Sequence, residues 1–351
     1  MSHWDSFPEN YRHDLISRIL QAIRGGECCQ VVGLSGAGKS NLAGFLSQRK
    51  SSGLSLVAVD CNRLTAYTPN ELFTMIASAC TSVGQPIARI EDLACTLERA
   101  LDRTSDQISL VFDRFDVLLE HDIKTIAGNL RWLRDQFKYR LTYVIFTRQQ
   151  LAAGNELAEL FYANTYWLGT LSQEDAFWSI DQFTNRHNLA WDENLKTTIF
   201  NLSRGYPSLL RAVCEAARVG TPLEPSALIC HPAVSRMTEE FWTAQPSQEE
   251  LAQSGLLDHP LLRLANQKEI ESGLTAKETL LLGYLRSHPE VLCEKDAVIR
   301  AVWPEDKIFD QGIRDDSLAQ LVRRLRQKIE PDPSQPIHLV TVPGRGYRYH
   351  P

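Results

Sequence analysis

No apolar run in this chain approaches the ~18 residues of a membrane-spanning helix, and the N-terminus carries no apolar core of a secretory leader. A cytoplasmic protein with no membrane partner is therefore expected. Internal repeats and low-complexity tracts are also missing, which sets aside repeat arrays and disordered linkers. The eight cysteines are scattered, and Cys28 and Cys29 are adjacent instead of spaced C-x-x-C. No Cys/His cluster has metal spacing, and Cys80, Cys95 and Cys214 fall inside apolar runs, so buried reduced thiols are expected. An excess of positive charge is lacking too. Lys and Arg number 37 against 43 Asp and Glu, a net of −6. That balance excludes a protein that coats nucleic acid over its whole surface and leaves room for a local basic patch. What remains is a chain of 351 residues with ordinary hydrophobic content, long enough for two or three domains.

The strongest local signal is Gly33-Leu34-Ser35-Gly36-Ala37-Gly38-Lys39-Ser40, which reads G-x-x-x-x-G-K-S. A short apolar run over 28–32 precedes it, as a buried strand would, and Leu42, Ala43, Phe45 and Leu46 follow at helical spacing. Strand, glycine loop and helix together form a phosphate cradle, with loop N–H groups and the helix N-terminus turned to the anion. The residues expected at a nucleoside triphosphate are Gly33, Ser35, Gly36, Ala37, Gly38, Lys39, Ser40 and Asn41. Lys39 would pair with the β- and γ-phosphates, and the Ser40 hydroxyl would join a Mg²⁺ shell.

An amphipathic helix over 11–23 leads into this strand, and a second strand over 54–59 ends at Asp60. Helices over 70–82 and 90–103 come next. The run Ile108-Ser109-Leu110-Val111-Phe112-Asp113 is then a buried strand delivering an acid, which in a P-loop protein sits beside the metal. Asp113 is the expected second Mg²⁺ ligand, after Ser40. The following position, where many such ATPases keep a glutamate that polarises water, holds Arg114, which accepts no proton. Asp116 is the nearest acid. Slow hydrolysis, with the nucleotide acting as a switch, is the consequence expected. A further buried strand over 141–146 closes with Thr147-Arg148, which places Arg148 where it can sense a γ-phosphate. Lys39, Asp113, Asp116 and Arg148 are the candidate catalytic set.

From Trp167 onward helices are expected over 173–186, 192–202 and 208–218, with the turn Ser203-Arg204-Gly205-Tyr206-Pro207 between the last two. Residues 11–220 resemble the STAND class of signal-transducing AAA-like ATPases. The resemblance runs through 33–40, Asp113-x-x-Asp116, Phe146-Thr147-Arg148, the lid entry over 168–176, and Gly205-Tyr206-Pro207, which is similar to the family's G-x-P turn. It implies ATP as the nucleotide and places Pro207 near the base, coupling lid position to nucleotide state. The long C-terminal repeat array usual in the family does not follow, so the resemblance leaves the sensing surface either missing or in a partner protein. Origin-recognition-type initiators, which also join an AAA-like ATPase to a winged helix, share this architecture.

Residues 219–266 are punctuated by Pro222, Pro225, Pro232, Pro246 and Pro260 and read as a connector with one helix near 233–244. Beyond it, Thr275 and Glu278 form a capping box before Leu280, Leu281, Leu282 and Leu285. A second helix is expected over 295–302, before Trp303-Pro304, and a third over 317–329. On the third, Leu318, Leu321, Val322, Leu325 and Ile329 form one stripe, while Gln320, Arg323, Arg324 and Gln327 face the opposite way. Arginine and glutamine read guanine and adenine edges in the major groove. A hairpin over 337–349 puts Arg345 at its tip.

Residues 274–351 resemble the OmpR/PhoB-type winged-helix DNA-binding domain, through Leu274-Thr275-x-x-Glu278, Val302-Trp303, Leu325-Arg326-x-Lys328-Ile329 and Thr341-Val342-x-Gly344-x-Gly346-Tyr347-Arg348. The resemblance assigns Gln320, Arg323, Arg324, Gln327, Lys328 and Arg345 to double-stranded DNA. From Gly312 onward seven Lys and Arg stand against four Asp and Glu, a net of +3. So thin a charge predicts weak, salt-sensitive binding by one domain, strengthened by a nucleotide-dependent homo-oligomer or a partner.

The expected fold is an α/β P-loop NTPase core, with a parallel sheet and flanking helices, over 1–165. A helical lid over 166–220, a connector over 221–273 and an α+β winged helix over 274–351 follow. The expected function is an ATP-switched, DNA-binding regulatory ATPase. Two other classes stay open at this point: a nucleotide-dependent adaptor in a defence or mobile-element system whose winged helix docks protein, and an initiator-like ATPase that loads partners on DNA.

Overall fold

The computed structural model describes residues 3–81, 86–104, 107–119, 123–303 and 315–350. Ser82, Pro304, Gly312 and Arg314, used in the readings above, lie outside the described residues, as do the side chains of Asp315 and Asp316. The chain divides into two compact units, 1–261 and 262–351.

The first unit is built on a five-stranded sheet in the order β2-β3-β4-β1-β5, with β1 Cys29–Val32, β2 Leu54–Asp60, β3 Gln107–Asp113, β4 Leu141–Thr147 and β5 Thr165–Trp167. Every pairing is parallel. Strands buried on both faces must be apolar throughout, and β1 and β4 are buried at every position. The polar residue in β1, Gln30, is satisfied inside the sheet: its amide donates to Thr147 Oγ1 at 2.8 Å and to the Gln149 carbonyl at 3.1 Å. Such a carbonyl-like pairing keeps a buried amide from costing stability.

Helices cover the sheet: α1 His13–Arg24, α2 Lys39–Gln48, α3 Pro69–Thr81, α4 Ile90–Thr104, the one-turn α5 Asp116–Leu119 and α6 Ile123–Gln136. On α4 the fully buried Leu93, Leu97 and Leu101 recur every four residues, the stripe that a helix packed on a sheet needs. Parallel register puts Val32 beside Thr147 and Asp60 beside Asp113, so the carboxyl ends of the strands share one edge. Open α/β sheets bind ligands at that edge.

Helices α7 Gln173–His187, α8 Glu193–Ser203 and α9 Pro207–Arg218 follow, and α9 packs on both others. Ser172 and Asp192 cap α7 and α8, and Pro207 opens α9 at its first position, where its missing N–H costs nothing. Residues 221–273, read above as a connector with one helix, instead carry four: α10 Pro225–Leu228, α11 Pro232–Thr243, α12 Gln248–Gln253 and α13 Pro260–Ser272. Prolines at the first turns of α10, α11 and α13 start these helices; punctuation that reads as a linker is here a set of N-termini. α11 packs against α9, and the division between the units falls inside α13.

The second unit holds α14 Ala276–Arg286, β6 Leu292–Glu294, α15 Lys295–Val302, α16 Asp315–Ile329, β7 Leu339–Val342 and β8 Gly346–Tyr349. Its sheet runs β6-β8-β7, antiparallel throughout. Leu281, Leu285, Val298, Leu318, Leu325 and Leu339 are buried together at its centre. The capping box forms as the sequence predicts, with the Thr275 N–H donating to Glu278 at 2.7 Å. β7 starts two residues later than the sequence suggests, because the buried Glu330 carboxylate takes the N–H groups of Ile337, His338 and Leu339. A side chain at Gly346 would meet the Cys293 carbonyl at 2.0 Å, so the wing requires glycine there.

Candidate nucleotide site and nucleic-acid interface

The loop between β1 and α2 lies at the carboxyl edge of the sheet. The Gly33 N–H donates to the Thr147 carbonyl at 3.0 Å, which ties the loop's base to β4. Gly36 and Gly38 have φ of +86° and +91°, a conformation that glycine adopts without strain. Gly38 caps α2 and no side chain bonds its first turn, so the N–H groups there point outward. They face a cavity of about 780 Å³ whose wall includes Ser35, Gly36, Gly38, Lys39, Ser40 and Asn41. Gly33 and Ala37 are buried beneath the loop and support it without reaching the cavity wall.

Lys39 Nζ donates to the loop carbonyls of Gly33, at 2.5 Å, and Leu34, at 3.3 Å. Burial lowers its pKa from the ordinary lysine value, with Asp116 opposing that shift and Arg148 reinforcing it. Ser40 Oγ donates to Asp113 Oδ1 at 3.1 Å, so the two expected metal ligands touch. Burial raises the Asp113 pKa; the Ser40 hydrogen bond opposes it and Asp60 adds to it. A hydroxyl and a carboxylate are the hard oxygen donors that Mg²⁺ takes. Among the described residues no group of three or more His, Cys, Asp or Glu could hold a metal alone. The pair thus suits an ion that brings phosphate oxygens and water with it, and the uncapped helix end suits the phosphates.

Asp116 and Arg148 reach the same cavity. The Arg148 N–H donates to Asp116 Oδ1 at 2.6 Å, so one oxygen of the candidate base is committed to holding the end of β4. The Arg148 guanidinium donates to the carbonyl of Ala244, just past α11. Arg114 occupies a left-handed turn with φ of +54°, which lets Phe115 bury fully with its N–H on the Phe146 carbonyl at 3.1 Å. The Arg114 side chain lines the cavity.

α9 closes the loop from the other side. The Tyr206 hydroxyl donates to the Ser35 carbonyl at 2.5 Å, and the Ser208 N–H donates to the Gly36 carbonyl at 3.2 Å. A methyl group placed on Gly38 would touch Pro207 at 3.5 Å. Pro207 therefore lies on the loop itself, beside the Gly205 turn.

Sequence reasoning did not find Arg12. Its guanidinium donates to the carbonyls of Ala37 at 3.2 Å and Gly169 at 3.1 Å, and its own N–H donates to Asp175 at 3.2 Å. One side chain thus joins the N-terminal segment, the loop and the lid entry. Nor did sequence reasoning find a further cavity, of about 350 Å³, whose wall includes Phe7, Tyr11, Trp178 and Phe183. Asn41, Pro207 and Arg211 line both cavities. No local pattern signals either feature, because their parts come from opposite ends of the first unit.

In the second unit, Gln320, Arg323, Arg324 and Gln327 are exposed on α16, and none has a side-chain hydrogen bond or ion pair among the described residues. Arg345 is exposed at the turn of the wing, two residues along from Pro343. Lys328 departs from this set: its Nζ pairs with Glu278 at 2.6 Å and donates to the Gly273 carbonyl at 2.9 Å. Lys328 thus has a protein partner in the buried Glu278 carboxylate, which the other four side chains of that set on α16 lack. Arg326 is likewise committed, to the Leu339 carbonyl and Thr341 on β7.

Residues 269–349 match the family described as "Transcriptional regulatory protein, C terminal". The transcriptional regulatory protein YvrH of Bacillus subtilis is 41% identical over 71 residues, covering 20% of this chain and 28% of that protein. The sensory transduction protein RegX3 of Mycobacterium leprae is 36% identical over 100 residues, covering 27% of this chain and 48% of that protein. The chain spans less than half the length of these curated relatives. Over nearly the whole chain, solved structures of Aeropyrum pernix ORC2 (TM-score 0.43, 14% identity, 99% of this chain and 93% of that one) and of CDC6P from Pyrobaculum aerophilum (TM-score 0.45, 14% identity, 92% and 87%) are similar. Residues 269–349 form a winged-helix domain of the OmpR/PhoB type, on a chain whose larger unit has the α/β P-loop NTPase fold.

Proposed function

We propose that this chain is an ATP-switched, DNA-binding regulator, STAND-like in its ATPase part and cytoplasmic in its setting. The observation that carries the reading is the row of four exposed, unpartnered side chains on α16, Gln320, Arg323, Arg324 and Gln327, inside the segment that matches the transcription-regulator family. Those side chains enter a major groove and read base edges, and Arg345 on the wing meets the flanking backbone. At the other end, the uncapped N-terminus of α2 and the touching Ser40 and Asp113 support ATP and Mg²⁺ as the ligands. The triphosphate lies along the loop, and the base fits the aromatic cavity that shares Asn41 and Pro207 with the phosphate cavity.

When bound, Mg²⁺ neutralises phosphate charge. Lys39 and the loop N–H groups orient the phosphates, and Pro207 and Tyr206 link their presence to the lid. The functional divisions proposed are an ATPase core over 1–165, a lid over 166–220, a connector over 221–273 and the DNA reader over 274–351. The nucleotide changes assembly, and a second copy or a sensor protein in trans supplies the affinity that +3 of local charge does not.

The test is selection of bound duplexes from a random pool by the full chain, with and without ATP and Mg²⁺. A recovered motif that depends on nucleotide, and that Arg323→Ala/Arg324→Ala abolishes, supports the reading. No enrichment under any condition overturns it in favour of a winged helix that docks protein.

A further inference from the structure

The phosphate cavity is lined by more cations than a P-loop requires. Besides Lys39 and Arg148, its wall holds Arg114, Arg211 and Arg236. Lys39 and Arg148 are occupied by carbonyls of Gly33, Leu34 and Ala244. Arg114, Arg211 and Arg236 line the cavity with no side-chain hydrogen bond or ion pair among the described residues, although the Arg114 charge acts on Asp113 and draws its pKa down. The acids on the same wall do not neutralise them. Glu215 is paired with Arg218 at 2.9 Å, Asp116 holds the Arg148 N–H, and Glu240 lies 3.5 Å from the Ser35 hydroxyl. Unpaired guanidinium groups converging on one cavity from three separate elements make a site for a strongly charged anion.

Two of the three are in unusual places. Arg114 directly follows Asp113, in a left-handed turn locked by buried Phe115. Arg236 comes from α11, beyond the helices that the sequence assigned to the lid. Ala233, Arg236, Met237 and Glu240 all line the cavity, so one face of α11 is turned to it, at spacings of three and four residues. The opposite face is anchored, with Val234, Thr238 and Phe241 buried. The Phe241 ring stands edge-on to Tyr206 at 5.9 Å, and Tyr206 holds the loop carbonyl of Ser35. Arg236 is therefore presented by a helix fixed relative to the loop.

We propose that Arg114 and Arg236 distinguish a nucleoside triphosphate from a diphosphate by binding the terminal phosphate, one from the end of β3 and one from α11. The inference rests on the nucleotide reading above. The first two phosphates are met by the loop N–H groups and Lys39; the third brings added negative charge to guanidinium groups that make no hydrogen bond or ion pair to the protein. An arginine after Asp113 retains that phosphate and accepts no proton from water, so it favours a long-lived bound state.

The test measures dissociation constants for a non-hydrolysable ATP analogue and for ADP, with Mg²⁺, in the full chain and in Arg114→Gln, Arg236→Gln and Arg236→Lys. Each glutamine variant is expected to lose about tenfold in triphosphate affinity, or ~1.4 kcal/mol, and less than about twofold for ADP. Arg236→Lys recovers part of the loss. Because Arg236 is exposed, its variants keep the fold, and unchanged thermal melting without nucleotide checks this. Equal losses for both nucleotides, or no loss of either, overturn the inference while leaving the nucleotide reading intact. A parent chain that binds neither nucleotide overturns both.

Discussion

At the scale of single residues, the site turns on Lys39, Ser40 and Asp113. Lys39→Ala removes the cation proposed to orient the phosphates and is expected to abolish nucleotide binding in a calorimetric titration, without lowering the melting temperature. Burial raises the Asp113 pKa. A protonated acid is no metal ligand, so Mg²⁺-dependent nucleotide affinity should fall with decreasing pH, beginning at a higher pH than an ordinary aspartate would set. Asp113→Asn should flatten that profile. In the second unit the same logic separates tie from reader. At Glu278 burial pushes the pKa up, but the Lys328 ammonium and Thr275 outweigh it and the net shift is down. The stability this pair contributes is present above the carboxyl's unfolded pKa and is lost as pH falls through the lower folded value. Lys328→Ala is expected to cost the C-terminal unit about 1–3 kcal/mol in urea denaturation and to leave the selected DNA motif unchanged. Arg323→Ala/Arg324→Ala is expected to do the reverse, with stability within about 0.5 kcal/mol of the parent and selective binding gone.

At the scale of elements, α9 and the N-terminal segment matter because they hold the loop. Tyr206→Phe deletes the bond to the Ser35 carbonyl and keeps the buried ring. A loss of about 1 kcal/mol in stability is expected, with a weaker thermal response of the lid to nucleotide, read by hydrogen exchange over α9. How far the sequence announces these elements depends on where their information lies. β1 and α2 are legible because an apolar run, a glycine loop and a helical stripe adjoin, and β3 because its apolar run ends directly in Asp113. The capping box of α14 and the stripe of α16 are legible for the same reason. α6 is not among the helices expected, although its buried Ile126, Leu130 and Leu133 recur at helical spacing among polar residues, a pattern the sequence does carry. β6 is only three residues long, too short for a period to show. The contribution of α11 is invisible in principle to local pattern, since the contact between Ser35 and Glu240 spans 205 residues of chain. Arg12 escapes for that reason too, its partners lying at Gly169 and Asp175.

At the scale of the whole molecule, the proposed reading joins a nucleotide cradle to a DNA reader whose own charge is small. With few phosphate contacts, binding by one copy should be weak, and log affinity should fall linearly with log salt, with a slope of about −0.9 for each phosphate neutralised. A steeper slope in ATP than in ADP would mark assembly of several copies on one duplex. On the proposed function, the nucleotide at Lys39 governs what α16 does. The most direct measurement is the affinity of the full chain for its selected duplex with ATP and Mg²⁺, with ADP and Mg²⁺, and with no nucleotide, repeated in Lys39→Ala. A difference of at least tenfold between ATP and the other two states, lost in Lys39→Ala, is the expected result. Equal DNA affinity in all three states, in a chain shown to bind ATP, would contradict it.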